Sequence, residues 1–181
     1  MTTKARVLTL TILALAAVGL TGCRERTDRS EGSVLLSVSD FDRLPIQVST
    51  LEGPYQVGQV TLRNVPKNPT GTTSDLQDIE MRSYEVTFTR LDTGTRAIAP
   101  LVEPLFGIVP VGGTTEYENL PFLRPSQVAN PPLSDLNRFG QDQQTNSQVV
   151  PLRVTMRFFG RTLAGDDIVS EPASFNVDVL P

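Results

Sequence analysis

The sequence contains no histidine, no tryptophan and a single cysteine, Cys23. Histidine is the usual general base near neutral pH and a common metal ligand, so its absence removes most nucleophile–base pairs and imidazole metal sites. A single cysteine excludes an internal disulfide and thiolate zinc clusters. The sequence therefore predicts a domain that is held by its core, with no catalytic residue, no metal and no cofactor.

Basic residues are also few, with 16 lysines and arginines against 20 acidic residues and a formal net charge of −4. Two of the basic residues, Lys4 and Arg6, stand at the very start of the chain. A protein that binds nucleic acid through its phosphates needs a basic face. The composition therefore predicts no nucleic-acid partner.

The first 22 residues have the zones of an export signal. Lys4 and Arg6 make the start positive, and residues 7–20 (VLTLTILALAAVGL) form a mainly apolar run that is shorter than a membrane-spanning helix requires. Leu20-Thr21-Gly22-Cys23 ends this region. The arrangement predicts a signal peptide over residues 1–22, cleaved after Gly22.

The motif that ends at Cys23 resembles the lipobox of bacterial lipoproteins. This resemblance implies that Cys23 is acylated and that the attached lipid holds the protein to a membrane of the cell envelope. Residues 23–32 are polar and charged after the cysteine and predict a tether. Arg24 follows the cysteine, which favours the outer membrane if the host has two membranes. The alternative is a plain signal peptide with an incidental cysteine.

Residues 33–181 show the two-residue periodicity of β-strands. In residues 82–91 the large apolar side chains alternate with polar ones, and residues 152–159 repeat the pattern. Further strands are predicted at residues 34–41, 46–50, 57–65 and 173–180. Fourteen prolines and thirteen glycines punctuate the chain, many of them between these runs.

This spacing predicts an all-β fold, an immunoglobulin-like antiparallel β-sandwich over residues 33–181, with a barrel as the alternative. Residues 91–96 predict a hairpin turn. Gly160 and Gly165 lie in a second predicted hairpin, which would place residues 152–159 beside residues 173–180.

Two blocks, residues 82–92 (RSYEVTFTRLD) and 154–165 (VTMRFFGRTLAG), together with Phe175-Asn176-Val177, resemble a group of uncharacterised bacterial lipoproteins. Members of this group consist of a lipobox, a tether and one immunoglobulin-like sandwich. The resemblance implies that fold, and it implies no activity and no functional residues.

Residues 97–113 are apolar and interrupted by prolines at 100, 104 and 110, which suit an edge strand or bends. Large exposed apolar areas mark interfaces, so this segment is the candidate surface for a protein or glycan partner. The alternative is that it covers the open end of the sandwich. Its candidate residues are Leu101, Val102, Leu105, Phe106, Ile108 and Val109.

Residues 121–148 form a long polar segment, which in a compact domain is usually functional or disordered. A short helical turn is predicted at residues 133–139. The glutamine-rich stretch that follows (GQDQQTNSQ) has no strand or helix pattern.

Acidic side chains offer the remaining routes to chemistry. Paired carboxylates could support a polysaccharide hydrolase, which is the alternative to a binding or structural module. Oxygen ligands could hold calcium at Asp40, Asp42, Asp166 or Asp167, but no complete calcium-loop motif is present, and the favoured interpretation of Gly165-Asp166-Asp167 is a soluble turn. Arg161 is expected to pair with Asp166 or Asp167, and Phe159 is expected to pack. The candidate hydrolase residues are Asp75, Asp78, Glu80, Glu103, Glu116 and Glu118.

Overall fold

A computed structural model describes residues 32–181, so the predicted signal peptide, Cys23 and all but the last residue of the predicted tether lie outside the described residues. The described chain is an all-β fold in which two sheets pack against each other. Its elements in chain order are β1 (Val34–Asp42), β2 (Gln47–Ser49), β3 (Gln56–Pro66), a 3₁₀ helix (Asp75–Gln77), β4 (Ile79–Arg90), β5 (Leu101–Val109), β6 (Thr114–Pro121), α1 (Pro125–Val128), α2 (Leu133–Phe139), β7 (Val150–Thr162), β8 (Asp167–Val169) and β9 (Ala173–Leu180).

The first sheet has the order β1-β3-β6, and both of its pairings are antiparallel. The second sheet has the order β2-β9-β7-β4-β5, with β8 also paired to β7. Its pairings are antiparallel except that β2 runs parallel to β9. Among residues 32–181, no helix is both long enough and apolar enough to cross a membrane.

The alternation along β7 and β4 buries one face of each strand between the sheets, as the sequence predicts. Leu152, Val154, Met156 and Phe158 are all fully buried on β7. Burying a side chain of this size contributes roughly 1.5–3 kcal/mol to the free energy of unfolding. Strand β7 therefore supplies a large part of the stability of the folded domain. Tyr84 of β4 packs its ring 5.9 Å from that of Phe158.

Two buried polar side chains, Tyr84 and Asn64, join the sheets through hydrogen bonds that they donate to backbone carbonyls. The Tyr84 hydroxyl donates to the carbonyl of Pro121 on β6 at 2.8 Å. Asn64 of β3 is fully buried, and its Nδ2 donates to the carbonyls of Gln77 (2.9 Å) and Val109 (3.1 Å). Since Val109 ends β5, Asn64 fixes the position of the second sheet against the first.

The polar segment after α2 is held by a buried ion pair. Arg90, at the end of β4, donates from Nη2 to Asp92 (2.6 Å) and to Asp142 (2.7 Å). The side chains of Arg90 and Asp142 are 6% and 0% exposed. Asp142 also accepts from the Thr145 hydroxyl at 2.8 Å. These contacts order the glutamine-rich stretch, which has no regular secondary structure.

The predicted turn over residues 91–96 is wrong as a tight hairpin, although β4 and β5 are antiparallel neighbours. Ten residues separate Arg90 from Leu101. The reason is local: Asp92 accepts from Arg90 and from the Gly94 amide (3.0 Å), while Gln144 accepts from the amides of Thr95 and Arg96. These bonds hold this connection to the glutamine-rich stretch instead of closing a turn.

The other strand predictions fall close to the observed elements. Residues 152–159 lie beside residues 173–180, as predicted, although β7 continues to Thr162 and forms its hairpin with the short β8. The helical turn predicted at residues 133–139 is α2. Four elements were not predicted: the strands β6 and β8, the 3₁₀ helix and the single-turn helix α1.

Strand β3 runs from one end of the sheets to the other. Pro66 pairs with Val34, next to Gly32, and Gln56 pairs with Pro121. At roughly 3.3 Å per residue, about 33 Å separate Gln56 from Pro66. The Gly32 end carries the β7–β8 hairpin, because Ile168 Cδ1 would lie 2.6 Å from a Cβ placed on Gly32. The Gln56 end carries α1 and α2.

Candidate functional site

Strand β5 divides the predicted partner-binding residues between its two faces. Leu105 and Val109 are 5% and 0% exposed and belong to the core, and Leu101 packs partly against the core. Val102, Phe106 and Ile108 are 63%, 80% and 51% exposed. Only these last three residues are therefore available to a partner.

The exposed apolar residues of β5 continue across the outside of the second sheet. Pro104 pairs with Ser83 of β4, Ser83 pairs with Phe159 of β7, and Phe159 pairs with Val169 of β8. Phe159 is half-buried and Val169 is 52% exposed. The residues of this apolar surface are Val102, Pro104, Phe106, Ile108, Phe159 and Val169.

The exposed edge of the second sheet at β5 is irregular. The register with β4 shifts between Met81 and Ser83, and Gly107 has φ of +145°, a conformation that favours glycine. A Cβ on Gly107 would lie 2.7 Å from the Tyr117 hydroxyl oxygen. Pro104 cannot donate a backbone hydrogen bond, and with the bulge it makes this edge a poor template for another strand.

The acidic residues proposed for a hydrolase have separate surroundings. Asp78 accepts from the Val111 amide (2.8 Å), and Glu103 accepts from Arg124 Nε (2.7 Å). That hydrogen bond holds the pKa of Glu103 below its ordinary value. The other four side chains are exposed, on the 3₁₀ helix, β4 and β6: Asp75, Glu80, Glu116 and Glu118.

The two aspartate pairs proposed for calcium lie far apart. Asp40 and Asp42 pair with Thr61 and Gln59, toward the Gln56 end, whereas Asp166 and Asp167 follow β7 at the Gly32 end. Within residues 32–181, no three acidic, cysteine or histidine side chains are grouped as a metal site. The four aspartates are therefore not brought together.

Arg161 lies 3.6 Å from Asp167 Oδ1 and donates from Nε to the Gly165 carbonyl at 2.7 Å. The expected pairing with one of the two aspartates is confirmed. Because both charged side chains are largely exposed, the pair contributes about 0–1 kcal/mol.

A cleft of about 600 Å³ opens at the Gln56 end. The segment between β2 and β3 forms one wall, and the start of α1 with the exposed side of α2 forms the other. Tyr55 holds the first wall, because its hydroxyl donates to the Thr50 carbonyl (3.0 Å) and its carbonyl accepts from the Phe122 amide (2.9 Å). The cleft is thus built on the ends of β3 and β6.

The helices at the cleft are fixed by their own buried side. Leu133 and Leu136 of α2 are fully buried, and Gly140 ends the helix in the left-handed conformation with φ of +71°. Asp135, on the same helix, accepts from Arg96 Nη1 at 2.6 Å. Asn137 and Arg138 remain exposed toward the cleft.

The cleft differs in charge from the rest of this acidic chain. Its lining includes Arg124 and Arg138 and contains no aspartate or glutamate. Arg124 contacts Glu103 through Nε, which leaves its terminal nitrogens outside that ion pair. Among the ion pairs of residues 32–181, none includes Arg138.

The cleft also contains an unpaired hydroxyl and an aliphatic wall. Thr50 is 6% exposed, and its Oγ1 has no hydrogen-bond partner within the described chain. A buried polar atom of this kind costs about 1–3 kcal/mol. The exposed apolar lining comes from Leu51, Pro54 and Pro125, while Leu123 and Val128 line the cleft as buried core residues.

A second cavity of about 400 Å³ lies on another side of α1. It is lined by Ile98, Leu101, Gln127 and Pro131, among others. Gln127 Nε2 donates to the Ala99 carbonyl at 2.6 Å and joins the two sides of this cavity. None of the six acidic residues proposed for a hydrolase lines either cavity.

Sequence reasoning missed the cleft residues, in particular Tyr55, Arg124 and Arg138. The one signal concerned Arg124 and Arg138, because they lie in the segment over residues 121–148 whose length indicated a functional or disordered loop. The arginines gave no signal of their own, because they converge with residues 50–56 only when β3 and β6 pair.

Comparison of the chain with models of protein families, with curated proteins and with solved structures found no match.

Proposed function

We propose that this chain is a lipid-anchored lipoprotein of the bacterial cell envelope whose exported domain is an immunoglobulin-like binding or structural module. The observation that carries the proposal is that Gly32 and the cleft lie at opposite ends of the sheets. An anchor at Cys23 would hold the Gly32 end toward the membrane. The cleft and α2 would then face away from it, toward a partner.

The sheet orders support the immunoglobulin-like part of the proposal. In that fold, strands A, B and E form one sheet and strands G, F, C and C′ form the other. The order β1-β3-β6 fits the first set, and β9-β7-β4-β5 fits the second. Tyr84, buried on β4 against Phe158 of β7, has the position expected of the large aromatic side chain on strand C.

The linings of the two cavities described within residues 32–181 contain no aspartate or glutamate, which favours a binding role over a hydrolase. A two-carboxylate glycosidase needs acidic side chains roughly 5–10 Å apart across a groove. Neither cavity includes any of the six candidates in its lining, and Glu103 is already paired with Arg124.

Arg24 after the cysteine favours the outer membrane in a host with two membranes.

Metabolic labelling with palmitate tests the anchor. We expect the wild-type protein to carry label and the Cys23→Ala variant to carry none, because Cys23 is the only cysteine. Ser33→Ala, an exposed position after the tether, serves as the control and should keep the label. Equal labelling of the Cys23→Ala variant would contradict the proposal.

Site-specific photo-crosslinking in intact envelopes tests the binding role. A photoreactive residue at Asn137, exposed at the cleft, should give a defined crosslinked product. The same residue at Glu118, exposed on β6, should give none. Products at Glu118 alone, or at neither position, would count against a partner at the cleft end.

A further inference from the structure

We propose that the cleft at the Gln56 end binds the carboxyl-terminal end of a peptide, with an apolar last side chain next to the free carboxylate. This inference rests on the proposed binding role and names its ligand class. The inference explains why the cleft is divided into a cationic part and an aliphatic part. Neither part requires a metal or a cofactor.

The cationic part is Arg124 and Arg138. In a chain with a net charge of −4, a cleft that has two arginines and no carboxylate in its lining favours an anionic ligand. The Arg124–Glu103 ion pair uses Nε, so the terminal nitrogens of Arg124 can still donate to a ligand. Guanidinium groups match a carboxylate better than a single ammonium does, because their N–H groups form a planar fork.

The aliphatic part decides between a peptide and an acidic sugar. Leu51, Pro54 and Pro125 give the cleft its exposed apolar surface, and Leu51 is 67% exposed, whereas Leu123 and Val128 belong to the core. Sugar hydroxyls buried against these side chains would lose hydrogen bonds to water without replacement. An apolar side chain of a peptide would instead cover them, and its carboxylate would face the arginines.

The volume and the polar groups fit such a ligand. The cleft of about 600 Å³ lies within the usual range for ligand pockets, about 300–1,000 Å³. Thr50, a lining residue, has a hydroxyl oxygen without a partner, and Asn137 adds an exposed amide. The Thr50 hydroxyl is itself buried, so the exposed amide of Asn137 is the group that offers hydrogen bonds to the peptide backbone.

Nuclear magnetic resonance of the full-length protein, purified from membranes in detergent, tests the ligand class with three probes. N-acetyl-leucine carries a carboxylate beside an apolar side chain, its amide lacks the charge, and glucuronate supplies the charge on a sugar. We expect N-acetyl-leucine to shift the resonances of Leu123, Asn137 and Arg138 with a dissociation constant in the low millimolar range. We expect the amide and glucuronate to bind at least about tenfold more weakly, since a charge-assisted hydrogen bond and an apolar contact are lost.

The variant Arg138→Gln should weaken N-acetyl-leucine binding about tenfold. The matched control is Arg153→Gln, which removes the same charge from an exposed position on β7. Equal binding of the acid and its amide, tighter binding of glucuronate, or shifts that avoid the cleft would each overturn the inference. If one of these results is obtained with a protein that is acylated at Cys23, it refutes the peptide ligand but not the lipid anchor. If the protein is not acylated, the lipid anchor is refuted, and the binding measured at the cleft is still valid.

Discussion

Arg90 and Asp142 are buried ion-pair partners 52 positions apart in the sequence. Neither residue stands in a pattern that indicates burial, because Arg90 follows alternating strand residues and Asp142 lies in a polar run. The sequence therefore predicts only a functional or disordered segment over residues 121–148. The pairing depends on the fold that brings the end of β4 to the segment after α2, and a local pattern does not contain that information.

Replacing Asp142 with asparagine should destabilise the protein. The change removes the charged acceptor from one hydrogen bond of Arg90, which keeps its ion pair with Asp92, and a buried hydrogen bond to a charged group contributes about 1–3 kcal/mol. Urea unfolding of the wild type and the variant measures the difference. Asp40→Asn is the matched control, because Asp40 is exposed, and it should change the free energy of unfolding by about 0.5 kcal/mol or less. Equal effects of the two substitutions would refute the role of the pair.

Acid should remove the contribution of this network. The hydrogen bond from Arg90 holds the pKa of Asp92 below its ordinary value. Burial acts to raise the pKa of Asp142, but hydrogen bonds from Arg90 and Thr145 outweigh it and lower that pKa too. With depressed pKa values in the folded state, the stabilisation is complete above about pH 4, the ordinary aspartate pKa, and disappears as the pH falls through the folded values.

The free energy of unfolding should therefore fall more steeply below about pH 4 in the wild type than in Asp142→Asn. Urea unfolding at a series of pH values measures both slopes. Equal slopes in the two proteins would contradict the assignment. Since the chain has no histidine, no side chain with an ordinary pKa between pH 5 and 8 adds a slope there.

At the scale of elements, strands with a buried face could be predicted and the others could not. Strand β7 was found because Leu152, Val154, Met156 and Phe158 alternate with polar residues. Strand β6 (TTEYENLP) was missed because threonine and glutamate dominate it, and only Leu120 is buried. Residues 97–113 were identified as an edge segment from their prolines, but the sequence did not show which apolar side chains point inward.

The two faces of β5 should respond differently to truncation. Leu105→Ala removes a buried side chain and should cost about 2–5 kcal/mol. Phe106→Ser changes the neighbouring residue, which is 80% exposed, and should alter the free energy of unfolding by about 0.5 kcal/mol or less. Thermal or urea unfolding provides both values. A larger loss for Phe106→Ser than for Leu105→Ala would mean that the assignment of the two faces is reversed.

At the scale of the whole molecule, the three tyrosines report the integrity of both sheets. Burial raises the pKa of Tyr55, Tyr84 and Tyr117, most strongly for Tyr84. Unfolded tyrosines lose their protons near pH 10, so the folded state is fully stabilised below that pH and loses stability as the pH rises above it.

Absorbance at 295 nm should therefore show that the tyrosines of the folded protein ionise above pH 10, and circular dichroism should report whether the β-structure is still intact at each pH. The chain contains no tryptophan, which keeps this signal simple. A denatured sample in urea serves as the control and should titrate near pH 10. Ionisation of all three tyrosines near pH 10 with intact β-structure would contradict the buried arrangement.

The tethered binding module that we propose requires an acylated Cys23, with the cleft at the end of the sheets that lies away from Gly32. Mass spectrometry of the mature protein isolated from its own membranes tests this account most directly. We expect the N-terminal residue to be Cys23, with the mass of attached acyl chains, and residues 1–22 to be absent. A mature protein that begins elsewhere, or that carries Cys23 as a free thiol, would contradict it.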